Sequence, residues 1–424
     1  MSHHRPYPAY KESGIEWLGE VPEHWSILPM RHMAMIRNGQ DYKSVEVAGG
    51  PYPVIGSGGE FARASAYIYD GESVLLGRKG TIDKPLYING RFWTVDTMFF
   101  TEIAPIAHAK YLYYVATTIP FGFYSTNTAL PSMTQEALSS HMLAAPDITE
   151  QGRIALVLDR ETTRIDSLIA KKNRFIGLLK EKRQTLITHA VTKGFNTEAN
   201  RKDSGVEWIG NVPAHWKVLT LRRVISNIEQ GWSPECAPWP ADNGEWGVLK
   251  AGCVNKGDFR NSENKSLPAH LEPRPEYEVC DGDILMSRAS GSPELVGSIA
   301  LVRSPRPKLM FSDKIFRVKL TSIALPEFFV AALKSKFFRF QLENALSGGN
   351  GLANNLPQSA LLDFTICLPP INEQQRIIEI LFEKLNHIDV LSLKTQLSID
   401  LLTEHRSALI TAAVTGKIDL RESI

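Results

Sequence analysis

No run of 18 or more apolar residues occurs in the sequence, so no segment is expected to cross a membrane as a helix. The opening residues, Met1-Ser2-His3-His4-Arg5-Pro6, have no apolar stretch behind them and do not read as a secretory signal. Cysteine is scarce. Cys236, Cys253, Cys280 and Cys367 are far apart and form no C-x-x-C pair, which fits buried thiols in a reducing cytosol better than disulfides or a zinc site. Charge of one sign is lacking too: 47 basic residues face 46 acidic ones, a net charge of +1. That argues against a uniformly basic nucleic-acid binder but leaves room for a local phosphate-facing footprint.

Signatures of catalysis are also missing. A loop that holds a flipped adenine for methylation needs Asn/Asp-Pro-Pro-aromatic. The nearest match, Leu368-Pro-Pro-Ile371, lacks both the amide and the ring and reads as a lead-in to a helix. Gly416-Lys417-Ile418 fails the phosphate-cradling G-x-x-x-x-G-K-[ST] pattern at the hydroxyl position. Gly56-Ser-Gly-Gly59 can let backbone approach a phosphate but is also a plain loop. The 11 histidines show no H-E-x-x-H spacing, and Asp281 and Asp283 have no lysine in a nuclease-like set. The expectation is a soluble, cytoplasmic protein of two or three folded units, without catalysis of its own.

What the sequence does contain is itself, twice. Lys11-Glu-Ser-Gly-Ile-Glu-Trp-Leu-Gly-Glu-Val-Pro-Glu-His-Trp25 returns as Lys202-Asp-Ser-Gly-Val-Glu-Trp-Ile-Gly-Asn-Val-Pro-Ala-His-Trp216, with 12 of 21 positions from Lys11 to Arg31 identical. Trp17, Trp25, Trp208 and Trp216 are expected to pin these segments to a core. A second repeat runs at a different offset. Glu150-Gln-Gly-Arg-Ile154 returns as Glu373-Gln-Gln-Arg-Ile377, and Leu186-Ile-Thr-His-Ala-Val-Thr192 as Leu409-Ile-Thr-Ala-Ala-Val-Thr415. Each copy follows proline (Pro146; Pro369-Pro370) and ends near glycine (Gly194; Gly416), the punctuation of a helix.

Heptad spacing places Ile154, Leu158, Ile165, Leu168, Phe175, Leu179 and Leu186 on one seam, and Ile377, Leu381, Ile388, Leu391, Leu402 and Leu409 on its counterpart. Lys172, Lys182, Thr395, Ser398 and His405 interrupt the seam. Regions 26–149 and 217–370 are rich in Gly, Pro and β-formers. Strands are expected at Tyr67–Tyr69, Ser73–Leu76, Ile284–Met286, Ser298–Val302 and Ile315–Leu320, and helices at Ala107–Thr117 and Pro326 to about Leu346. Gly71–Arg78 resembles Gly282–Arg288 with one gap. Val95-Asp-Thr-Met-Phe99 resembles Ser312-Asp-Lys-Ile-Phe316, and Leu130-Pro131 aligns with Leu356-Pro357.

Two similar heads, each followed by a similar long helix, define an expected fold class. It is α+β, with two globular α/β domains separated by two long helices that form an antiparallel coiled coil, a pseudo-two-fold internal repeat. Duplex DNA has local two-fold symmetry, and dimeric readers bind half-sites about 34–36 Å apart, so two divergent heads suit a bipartite, asymmetric target. At this point a family resemblance enters. The blocks Ser13–Trp25 and Pro146–Ile154, each repeated in the second half, resemble the specificity subunits of type I restriction-modification systems. The resemblance implies target-recognition domains at 1–149 and 196–370, and helices at 150–195 and 371–424. It also implies double-stranded DNA, two methyltransferase subunits and restriction subunits as partners. S-adenosylmethionine would then sit on the methyltransferase partner, ATP and Mg on the restriction partner, and no cofactor on this chain.

Candidate DNA contacts follow from residue type, since Arg and Lys meet phosphates and Arg, Lys, Asn, Gln and Ser meet base edges. They are Ser57, Gly58, Arg63, Arg78, Lys79 and Lys84 in the first head. In the second they are Lys256, Arg260, Arg288, Ser290, Arg303, Lys314 and, in the loop Ser347–Gly351, Asn350. Arg78 and Arg288 stand out because each follows an equivalent expected strand. Lys334, Lys336 and Arg339 read instead as the wet face of an amphipathic helix. Two competing readings remain: an interaction protein whose heads bind protein, and an enzyme with a diverged centre.

Overall fold

A computed structural model describes residues 5–124, 131–347 and 354–421. The chain divides into two compact units, Met1–Asn173 with Gln396–Ile424, and Arg174–Thr395. A long helix spans Ile148–Lys193 and a second Ile371–Val414, so each unit owns the beginning of one helix and the end of the other.

Capping chemistry marks the start of the first helix and the ends of both. Asp147 lies between Pro146 and the first helix, and its Oδ1 accepts from the amides of Thr149 (2.8 Å) and Glu150 (3.0 Å), two of the four donors a helix start leaves unpaired. Just past the helix ends, Gly194 and Gly416 take φ of +66° and +72°, which a side chain would strain.

In the first unit, Asp166 pairs with Arg406 at 2.9 Å, and Ile154, Leu158 and Ile165 share a core with Leu409, Ile410 and Ala413. In the second, Arg183 pairs with Asp389, and Ile187, Ala190 and Val191 share a core with Ile377 and Leu381. Rising numbers meet falling ones in each unit, so the helices run antiparallel in both. The two ion pairs are the same pair under the repeat.

One part of the expected seam is shifted. Leu158, Ile165, Leu179, Leu381, Ile388 and Leu409 are buried and Leu186, Leu391 and Leu402 are half-buried, but Leu168 and Phe175 are 38% and 42% exposed. The alternate inward positions fall one residue later, at Thr162, Ile169, Ile176, Arg183 and Ala190, matched by Leu385, Ser392, Ile399, Arg406 and Ala413. From Ile165 the buried stripe steps four residues to Ile169, not three to Leu168. A heptad of leucines fixes the period but not which way the three-four alternation starts. Lys182 and His405 leave the seam with that shift, while Thr395 stays buried and donates to the Leu391 carbonyl at 2.7 Å.

The first unit carries a six-stranded sheet in the order Ala34–Asn38, Met98–Ile103, Tyr69–Gly77, Leu86–Thr94, Tyr52–Gly56, Gly59–Ala64. All pairs are antiparallel except Tyr52–Gly56 with Leu86–Thr94. The second unit repeats this plan with a break. Its four-stranded sheet runs Ile225–Gln230, Ile315–Leu320, Ile284–Ser287, Ile299–Leu301, and a three-stranded sheet runs Asn264–Ser266, Gly247–Leu249, Leu309–Phe311. The long strand Leu86–Thr94 thus corresponds to two short ones. Val302-Arg-Ser-Pro-Arg-Pro-Lys308 explains the interruption: two prolines remove ladder donors, and Ser304 and Lys308 take positive φ.

Of the expected helices, Ala107–Thr117 is found at Ala109–Ala116, whereas the stretch from Pro326 forms two helices, Pro326–Leu333 and Lys336–Ser347. Ser335 makes the break. Its hydroxyl donates to the Ala332 carbonyl (2.6 Å) and accepts from the Phe338 amide (3.2 Å), capping the second helix.

The repeated tryptophan segments meet the repeated helix starts. Trp25 is fully buried, and its indole N–H donates to Glu150 Oε1 at 3.2 Å while His24 Nε2 lies 2.9 Å from Oε2. Trp216 and His215 meet Glu373 in the same way, at 3.1 and 2.6 Å. Gln151 and Gln374 lock the next turn, each amide donating to the carbonyl of Pro146 or Pro369 at 2.9 Å. Trp17 and Trp208 are not buried anchors: they are 40% and 53% exposed, with one face against His141 and Phe340 respectively.

Candidate nucleic-acid interface

Arg78 and Arg288 follow equivalent strands and hold equivalent loops. Arg78 donates from Nη1 to the Asp96 carbonyl (3.2 Å) and lies 5.9 Å from the Phe99 ring centre. Arg288 donates to the Asp313 carbonyl (3.5 Å) and lies 5.7 Å from Phe316. Their backbones match as well: Arg78 pairs with Thr97 and Met133, Arg288 with Lys314 and Leu356, so the counterpart of Leu356 is Met133 and not Leu130 as the sequence alignment has it. Gly39 and Gly231 complete the match. A side chain at either would collide with the carbonyl of Val95 or Phe311, at 2.1 and 2.0 Å. Each unit therefore brings one set of loops together at one end of its sheet.

In the first unit this end gathers Arg78 and Lys79, the turn Val95–Thr97 and the hairpin tip Ser57-Gly58, whose neighbour Gly56 faces Val95. Lys79 and Lys84 are exposed, and Lys79 pairs through its backbone with Ser132. Arg63 lies further along the edge strand and is paired with Glu60 at 2.8 Å.

In the second unit the corresponding end gathers Arg288, Ser290 and Lys314. Two other candidates lie elsewhere, committed to the protein. Arg260 donates to the Gly252 carbonyl at 2.6 Å, and Arg303 donates to Glu327 at 2.5 Å with Asp281 at 3.6 Å. Lys256 lies in the turn Ala251–Gly257, with its side chain outside the described residues, as is Asn350. Lys334 and Arg339 turn inward rather than to water. Lys334 donates to the Gly257 carbonyl at 2.6 Å, and Arg339 to those of Pro293, Glu294 and Val296.

Sequence reasoning passed over Lys250, Lys265 and Ser312, which share a cleft of about 460 Å³ with Ser290 and Lys314. The signal for Ser312 was present, because the aligned residue in the first unit is Val95. Among the described residues no His/Cys/Asp/Glu cluster could hold a metal, and no helix is long and apolar enough to cross a membrane.

Two duplicated α/β units, each owning part of both long helices and each holding an equivalent arginine loop, define a class of internally duplicated, two-domain proteins. The chain belongs to the family described as the type I restriction modification DNA specificity domain, whose model matches residues 22–176 and 215–399. It is 40% identical over 169 residues to the type I restriction enzyme EcoEI specificity subunit of Escherichia coli, covering 39% of this chain and 28% of that one. It is 25% identical over 280 residues to the EcoKI specificity subunit of Escherichia coli K12, covering 64% and 57%. The matched stretches thus span about a quarter to a little over half the length of these relatives.

Among solved structures, the fold is similar to a chain from a study of complex assembly and conformational transition of the type I R-M system. That match has a TM-score of 0.69 at 13% identity and covers 93% of this chain and 98% of the other. It is also similar to the HsdS subunit from Thermoanaerobacter tengcongensis, at TM-score 0.51 and 13% identity, with 94% and 98% covered. At such identities these matches establish the fold alone.

Proposed function

We propose that this chain is the DNA-reading specificity subunit of a type I restriction-modification complex, and that it performs no catalysis itself. In this reading residues 1–149 and 196–370 are target-recognition domains, and helices 150–195 and 371–424 are scaffold. The observation that carries it is the equivalence of the Arg78 and Arg288 loops on two otherwise diverged heads, inside a family defined by DNA specificity. A duplicated frame with different loops reads two different half-sites of one bipartite target.

Two methyltransferase subunits and restriction subunits are the partners of this reading. The long helices offer surfaces for them: Leu168, Leu397 and Leu401 are exposed in the first unit, and Leu178, Phe382 and Leu393 in the second. S-adenosylmethionine, ATP and Mg belong to those partners, and the complex works in the cytoplasm.

The test is co-expression with the cognate methyltransferase subunit, followed by long-read mapping of methylated adenine. One bipartite motif with a fixed spacer is expected. A continuous motif, or none, overturns the reading. Removing 165–171 and 388–394 together should keep both half-sites and change the spacer or abolish assembly.

A further inference from the structure

The cleft at the loop end of the second unit differs in chemistry from the rest of that surface. Lys250, Lys265 and Lys314 line it together with Ser290, Ser312 and Cys236, and among the described residues that line it there is no carboxylate or side-chain amide. Lys250 is partly engaged, with Glu263 at 3.3 Å, whereas Lys265 and Lys314 are exposed and have no ion-pair partner among the described residues. Burial pushes the Cys236 thiol above its usual range, so it adds no negative charge. Asp313 stands nearby but is turned to Ser233, whose hydroxyl it accepts.

Ser312 is the second, independent feature. It is among the residues that line the cleft, is only 6% exposed, and its buried hydroxyl has no hydrogen-bond partner among the described residues. A buried hydroxyl left unpaired costs stability, so a donor or acceptor that reached it would be favoured. The first unit carries Val95 and Thr97 at the positions of Ser312 and Lys314.

We propose that this cleft is a base-reading seat of the second unit and takes the acceptor-rich major-groove edge of a guanine. Lys314 and Lys265 serve as donors to O6 and N7, and Ser312 donates from the floor. The inference rests on the DNA-reading function above and adds the base. Guanine fits because it presents two adjacent acceptors, whereas adenine and cytosine each present an amino donor that asks for an amide or carboxylate, which none of the described lining residues supplies. A phosphate shares the acceptor chemistry, but a lysine pair on open surface is enough to hold one, and it calls for no buried hydroxyl.

The experiment uses the full chain co-expressed with its methyltransferase subunit, comparing Lys314→Ala and Ser312→Val with the parent. Methylation motifs are mapped, and binding is measured on duplexes substituted one base pair at a time. Both variants should relax one guanine position of one half-site, losing roughly 5- to 100-fold in discrimination there, with the other half-site unchanged. Lys314 is exposed, so its truncation leaves folding intact even if Ser312→Val lowers the melting temperature. Uniform weakening across all sequences with a shallower salt dependence would mark a phosphate contact and overturn the proposal. So would a relaxed position occupied by an A·T pair. If the parent complex methylates no bipartite motif, the DNA-reading function itself fails, a result distinct from both.

Discussion

Glu150 and Glu373 receive the indole N–H and the histidine of the repeated tryptophan segments, but not under the same conditions. Glu150 also accepts the Tyr7 hydroxyl at 2.7 Å and is 6% exposed, whereas the Glu373 side chain is 27% exposed. Removing a buried acceptor leaves its donors unpaired, so Glu150→Ala should cost about 2–4 kcal/mol and Glu373→Ala roughly half that. Urea unfolding of each variant measures the difference, and equal losses would contradict the asymmetry. His141 supplies a pH dependence. It is 2% exposed, stacked on Trp17, with Nδ1 2.8 Å from the Tyr124 hydroxyl. Burial pushes its pKa down to about 4 from 6.5, so the folded state stays neutral where the unfolded chain takes up a proton. Its contribution is complete above pH 6.5 and lost as the pH falls from 6.5 towards 4, by up to about 3 kcal/mol. Melting of the parent and of His141→Gln across that window tests this, and the variant should lose part of the slope. The Glu-Gln repeat was legible in the sequence as a repeat, yet its role was not. Glu150 meets Trp25 across 125 residues of chain, and no local pattern records that distance.

At the scale of elements, the long helices were legible in length and period because proline, glycine and recurring leucines bound and punctuate them. Their phase was not, since Leu168 and Ile169 are adjacent apolar residues and only packing chooses between them. The chosen stripe gives a prediction. Seven residues turn a helix by nearly two full turns, so deleting 165–171 with 388–394 returns the same faces inward, at the expense of two ion pairs worth about 1 kcal/mol or less each. Deleting Ser167 and Leu168 alone rotates everything beyond by about 200°, turning exposed side chains such as Lys171 and Arg174 inward. Calorimetry should show the first variant within a few degrees of the parent and the second much less stable, and the reverse order would reject the observed phase. The interrupted strand of the second unit follows the same logic. Pro305 and Pro307 were in plain view, but that their loop splits one long strand into two shows only beside the unbroken Leu86–Thr94.

At the scale of the whole chain, the two units are one design cut at different places. In the second unit the helix end at Gly194 runs directly into the segment Arg201–Asp203, and Gly194 packs on Trp216. In the first unit the helix end at Gly416 packs on Trp25 in the same way, but the two belong to opposite ends of the chain. Those ends meet: the Asp419 amide donates to the Arg5 carbonyl at 2.8 Å, and the Arg421 guanidinium lies 4.9 Å from the Tyr7 ring centre. Matching backbone bonds hold both junctions, Glu23 to Ala9 at 3.0 Å and Ala214 to Asn200 at 2.7 Å. The two junctions are therefore equivalent in their contacts. Joining Arg421 to Arg5 through a linker of about five residues and opening the chain at the exposed turn Thr197–Glu198 should give a permuted protein that melts close to the parent. Co-expressed with the methyltransferase subunit, it should direct methylation to the same motif. A matched permutant opened inside the strand Ile315–Leu320 should fail to fold, because that strand pairs on both sides. If opening at Thr197 were as damaging as opening there, the equivalence of the two junctions would be wrong, however closely their sequences agree.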